Sequence, residues 1–132
     1  RPVFKSSGSI AFSTFPAMRH AATDLSILEQ LFKGDREQIH QWLELYLEQA
    51  PDQFAALSEF QKAGNAEALA MIVHDLRPQT HYLGAHRMLE LLVALGELVK
   101  REGTAPCRVL VDETHALSRE IETELRACLN RT

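Results

Sequence analysis

What most constrains the fold of this chain is the spacing of its apolar residues. From residue 25 onward they recur at intervals of three and four, and the pattern breaks at Gly34, at "AGN" (63–65), at Gly84 and at "REGTAP" (101–106). A stripe of that period lies along one side of a helix and has to be buried against neighbouring helices. Alternating, strand-like runs are nearly absent. Gly 6 and Pro 5 in 132 residues are also too few for a chain of tight β-turns. The expected fold class is therefore all-α.

The breaks divide the chain into five helical segments. A short first helix carries Leu25, Ile27, Leu28, Leu31 and Phe32, with Thr23 or Asp24 as its cap and Gly34 as its end. Asp35 caps a second, longer helix, with Gln38 at the capping-box position and Ile39, Trp42, Leu43, Tyr46 and Ala50 on its stripe. Pro51 interrupts that stripe, which resumes with Phe54, Leu57 and Phe60, so a kink or a fresh first turn is expected there. Asn65 caps a third helix through Leu69, Ile72, Val73, Leu76, Thr80 and Leu83, ending near Gly84. A fourth carries Met88, Leu91, Leu92, Leu95 and Val99. Pro106 opens a fifth, with Leu110, Leu117, Ile121, Leu125 and Cys128 inward. Short connections make consecutive helices antiparallel neighbours, so the spacing predicts an antiparallel up-and-down four-helix bundle with a short leading N-terminal helix. That bundle domain spans 23–132. Residues 1–22, rich in Ser, Gly and Pro, read as a linker or N-terminal arm with one strand-like piece at Ser9–Phe15.

Composition removes several functions. A net charge of −4, spread along the chain, lacks the basic face of a nucleic-acid binder. No run approaches the roughly 18 apolar residues that span a bilayer, so no direct membrane contact is expected. No G-x-x-x-x-G-K-[ST], G-x-G-x-x-G or H-E-x-x-H occurs, which argues against an autonomous kinase, dehydrogenase or zinc protease. Cys107 and Cys128, placed in one helix, would sit about 30 Å apart, far beyond the roughly 7 Å of a disulfide. Two unbridged thiols and the lack of an apolar signal-peptide core in residues 1–22 suggest a cytoplasmic location. A first residue of Arg1 suggests a fragment or a processed product.

Of the six histidines, His74 has the most informative setting. At about 100° per residue it points roughly 140° away from the side of the third helix set by Leu69, Val73, Leu76, Thr80 and Leu83. It therefore projects to solvent from mid-helix, on the side shared by Ala70, Arg77, Pro78 and His81. An exposed imidazole ordinarily titrates near pH ~6.5 and is largely the nucleophilic free base at neutral pH. Arg77, one turn on, offers a fixed positive fork suited to phosphate oxygens. Such a pair has no general base, metal or cleft. What it can do is accept a group that another protein delivers already activated. A lone surface histidine beside an arginine is also ordinary helix decoration, so the longer string around it decides.

That string is "HDLRPQTHYLGA", residues 74–85. It resembles the signature of histidine-containing phosphotransfer (HPt) domains: histidine, any residue, leucine, lysine, glycine, and a further glycine ten positions past the histidine. His74, Leu76, Arg77 (for lysine) and Gly84 fall in place, and the similarity extends over about residues 24–128. The resemblance implies that His74 is phosphorylated and that Arg77 stabilises the phosphoryl group. It implies receiver domains as partners, with the same chain's hybrid sensor histidine kinase as one candidate source, and location in the cytoplasm, including as the tail of a membrane-bound kinase. It implies no cofactor of the chain's own, the Mg²⁺ belonging to the partner receiver domain. The expected docking surface includes Ala70, Pro78, His81, Tyr82 and Arg87, and Gln79 and His81 are candidates to hydrogen-bond the phosphoryl group or its helix. One departure is Pro78 where the family has glycine. Proline lacks an N–H and clashes with the carbonyl four residues back, here that of His74, so a local bend and a solvent-facing His74 carbonyl are expected.

Three rival readings compete with the relay. A di-iron bundle needs two inward Glu-x-x-His pairs, and only Glu37 with His40 has that spacing; His74 and His81 lie two turns apart, about 10.5 Å, too far to share a metal. The phosphoacceptor bundle of a sensor kinase would need an ATP-binding domain alongside, for which 132 residues leave no room. A helical-bundle interaction module without phosphotransfer remains the main alternative.

Overall fold

The computed structural model describes residues 21–131, and these contain helices and no strand. The strand-like piece at Ser9–Phe15, His20 and most of the expected arm lie outside the described residues. Five α-helices follow in order: α1 (Ser26–Leu31), α2 (Arg36–Ala63), α3 (Ala66–Tyr82), α4 (His86–Glu102) and α5 (Arg108–Asn130). A single 3-10 turn, Ala105–Cys107, joins α4 to α5.

The helix ends follow their local chemistry. The Asp35 side chain accepts from Gln38 N (3.2 Å) and that of Asn65 from Ala68 N (3.1 Å), each satisfying a backbone donor that a helix start leaves open. Gly64 closes α2 at φ 73°, a left-handed conformation that favours glycine. Two expectations need adjustment. Pro51 neither breaks nor restarts its helix: α2 runs unbroken across it for 28 residues, because Ala50 and Phe54 on either side are buried and packing holds the turn that lacks a backbone bond. And Thr23 does not cap α1. Its hydroxyl donates to Glu124 (2.9 Å), while Asp24 Oδ1 accepts from Ser26 N (3.0 Å). That N–H holds the Asp24 carboxyl below the usual carboxylate range.

The apolar stripes converge on one core. Leu28, Leu43, Leu57, Leu69, Leu76, Leu92, Leu95 and Ile121 are fully buried, drawn from all five helices. Among the four long helices, α2 packs on α3, α3 on α4, α4 on α5, and α5 back on α2. Each buried leucine contributes roughly 1.5–3 kcal/mol. The exposed Arg108–Asp112 pair (3.8 Å) contributes a few tenths at most, so burial and not surface charge holds the fold. The buried Thr80 is satisfied by donating to Leu76 O (2.8 Å). Leu31, read as part of the α1 stripe, is half exposed, since α1 is too short to bury more than Leu28 completely.

Cys107 closes the 3-10 turn, fully buried, and its thiol donates to Gly103 O (3.3 Å). Burial pushes that thiol up from its ordinary range. Cys128 is half-buried in the last turns of α5, and both cysteines are free. A thiol-specific reagent at neutral pH should therefore modify Cys128 under native conditions and Cys107 only in denaturant, as read by peptide mass mapping. Equal native rates would show that the Ala105–Cys107 turn is not packed.

Candidate functional site

The site is one face of α3, and the opposite face explains it. Leu69, Val73, Leu76, Thr80 and, just past the helix, Leu83 are buried, which turns His74, Asp75, Arg77, Pro78 and His81 outward. His74 is exposed in mid-helix. Arg77 is exposed one turn later, and residues at that spacing have Cβ atoms about 5–6 Å apart. Among the described residues neither side chain has a hydrogen bond or an ion pair, so both are available to an incoming group. Pro78 lies inside α3 without ending it, and its missing N–H leaves the His74 carbonyl without an i+4 donor.

The other expected surface residues divide. Pro78, His81 and Arg87 are exposed, and Tyr82 is 37% exposed. Ala70 is half-buried against the core and offers the surface only part of its methyl. Gln79 is turned toward α2, where its Nε2 donates to Gln53 Oε1 (3.0 Å). Its amide therefore already has a partner within the fold.

Tertiary packing adds contacts that spacing alone did not show. The half-buried Trp42 ring stacks on Tyr46 (centroids 6.0 Å, 5° between planes) and meets the edge of Tyr82 (6.3 Å, 74°). Tyr82 in turn meets His81 edge-on (5.6 Å, 62°). A ladder of four rings thus runs from buried Tyr46 to exposed His81. Burial pushes the Tyr46 hydroxyl well above the usual phenol range, and the Glu122 charge adds to the shift. Met71, 65% exposed, stands one turn before His74, an apolar surface residue that lies off the buried stripe. A groove of about 580 Å³ between α1 and the end of α5, lined by Leu25, Glu29, Glu124 and Cys128, does not include His74 among its walls. Among the described residues no group of three or more His, Cys, Asp or Glu could hold a metal ion. No helix among them is long and apolar enough to cross a membrane.

Gly84, the one glycine of the 74–85 string, has a physical reason to be there. Its φ is 62°, and a Cβ on it would lie 2.2 Å from Asp24 O. The segment before α1 crosses this corner: Asp24 N donates to Leu83 O (2.9 Å), and Ala22 N and the Thr23 hydroxyl both donate to the Glu124 carboxylate. The end of the site helix is thus tied through one backbone strap to α5. Compared with protein-family models, curated proteins and solved structures, the chain has no match.

Replacing Gly84 with Ala forces the strap and the α3–α4 turn apart and holds a non-glycine residue at positive φ. The expected loss is at least about 2 kcal/mol in chemical denaturation. A change under about 0.5 kcal/mol would mean that the strap does not press on this turn.

Proposed function

We propose that the chain is a phosphorelay intermediate: His74 accepts a phosphoryl group from a receiver-domain aspartate and passes it to another, in two-component signal transduction. The observation that carries the reading is an unpartnered, exposed histidine in mid-helix, with an unpartnered arginine at i+3, inside a string that resembles the HPt signature. The scaffold in this reading is an antiparallel up-and-down four-helix bundle. Its support is the closed circuit of packing among α2 to α5, the short connections, and the contact of Trp42, near the start of α2, with Tyr82 at the end of α3.

The chemistry asks little of the chain. The Nε2 lone pair of neutral His74 attacks the phosphorus of an aspartyl phosphate in line. The N–P bond forms as the P–O bond breaks, and the aspartate carboxylate leaves with the electron pair. The ring proton stays on Nδ1 until solvent removes it. In this reading the Arg77 guanidinium, one turn on from His74, takes the charge of the phosphoryl oxygens through two parallel N–H donors. By the resemblance, Mg²⁺ and most of the charge neutralisation belong to the receiver, and the reaction runs in reverse onto a second receiver's aspartate. In this reading the chain works in the cytoplasm, alone or within a hybrid sensor kinase, and contacts neither nucleic acid nor membrane directly. The docking surface is Pro78, His81, Tyr82 and Arg87, with Met71 beside them and Ala70 at its margin.

Incubation with a phosphorylated cognate receiver should place an acid-labile, base-stable phosphate on the chain, and His74→Gln should abolish it. Label that persists in the Gln variant would move the site elsewhere. A folded wild-type chain that binds a receiver and takes no phosphate would favour the interaction module. Arg77→Ala should slow transfer at least about ten-fold, since a charge-assisted hydrogen bond contributes about 1.5–3 kcal/mol. Because Arg77 is exposed and unpaired, stability should change by less than about 0.5 kcal/mol in the same variant. Unchanged transfer kinetics would remove Arg77 from the mechanism.

A further inference from the structure

The turn that follows His74 is unusual in its own hydrogen bonding. Pro78 supplies no N–H to the His74 carbonyl, so the backbone bond that would close this turn is missing. Two residues later the Thr80 hydroxyl donates back to Leu76 O (2.8 Å), a contact that tends to bend helices. His74 and Arg77 therefore sit in a stretch of α3 that lacks one of its own backbone hydrogen bonds. The facing helix carries a similar weakness: Pro51 lies inside α2 and withholds a bond from the Leu47 carbonyl. Between the two weakened turns lies the hydrogen bond from Gln79 Nε2 to Gln53 Oε1, at 3.0 Å and partly shielded from water. Gln79 immediately follows Pro78, and Gln53 comes two residues after Pro51.

We propose that Gln53 and Gln79 are positioning residues for phosphotransfer at His74, their mutual hydrogen bond standing in for the backbone bond that Pro78 removes. The inference rests on the relay reading of His74 and adds to it a requirement on α2. The bridge touches neither the phosphoryl group nor the reacting nitrogen. It holds the segment after Pro78 at a set place against α2, and with it the relation of Arg77 to His74. In-line transfer is sensitive to that relation, because small displacements of the groups around a reacting centre lower the rate. Glutamine suits this role because its amide reaches across the helix–helix interface and offers a donor or an acceptor.

The test compares Gln53→Ala, Gln79→Ala, the double variant and Gln53→Glu, which retains an acceptor for Gln79. The phosphoryl donors are a panel of receiver domains charged with acetyl phosphate and, separately, the small molecule phosphoramidate. Each Ala variant should lower the saturating rate of transfer from a receiver about five-fold, the factor that loss of one ordinary hydrogen bond represents. The double variant should be no slower than either single one, and Gln53→Glu should stay near the wild-type rate. Labelling of His74 by phosphoramidate, which needs only an accessible ring, should remain within about two-fold of wild type, the scatter allowed for a solvent-exposed group. Wild-type transfer rates in both Ala variants would overturn the proposal. So would losses that add in the double variant and appear only as weaker receiver binding, since these describe two separate docking contacts. A wild-type chain that takes phosphate from no receiver sinks the relay reading instead. Amide hydrogen exchange then judges the bridge alone: Gln53→Ala should speed exchange at Gln79 and Thr80, and unchanged exchange there would overturn it.

Discussion

Everything in this chain depends on α3 having one side that must be buried. Leu69, Val73, Leu76 and Thr80 occupy the core at spacings of three and four, and Leu76 is wholly excluded from water. Because α3 is apolar on that side alone, the burial that holds it in place also presents His74 and Arg77 to solvent. Exposure of the histidine is a by-product of core packing. It needs no device of its own, and only a change of helical phase or a rebuilt core would withdraw it.

The ends of the site helix are secured by different means. At its start the Asn65 side chain satisfies the backbone donor of Ala68. At its end Gly84 allows the Asp24 backbone to come close, and Asp24 N donates to Leu83 O. Glu124 holds the preceding residues from the other side through Ala22 and Thr23. The strap thus links α5 to the α3–α4 corner, and it gives physical content to a glycine that sequence resemblance alone would only align. The middle of the helix is treated differently again: Pro78 weakens it, and a side-chain bond to α2 spans the same region.

Much of the architecture was legible from local pattern because local chemistry decides it. Asp35, Asn65 and Gly64 act within a few residues of themselves, and the apolar period identifies each buried side, whereas Pro106, expected to open the last helix, lies in a 3-10 turn ahead of it. Where local pattern misled, a distant partner had intervened. Thr23 looked like a helix cap, but its hydroxyl is taken by Glu124, about a hundred residues away in the chain. Pro51 allowed a kink or a fresh first turn, and the helix starts no new turn there, buried Ala50 and Phe54 packing on either side. Trp42 sat on an apolar stripe, and nothing in its spacing indicated that its ring would meet Tyr82.

The sequence by itself determined the helices, their buried sides and the outward direction of His74 and Arg77, because periodicity converts directly into orientation about a helix axis. It also carried the string whose resemblance suggests phosphotransfer. Only the tertiary structure decided what stands around that histidine: the Gln53–Gln79 bond, the aromatic ladder from Tyr46 to His81, and the strap that requires Gly84. The reason is physical. Each of those contacts joins residues from separate elements, and their meeting depends on how helices are placed against one another, which no single stripe encodes.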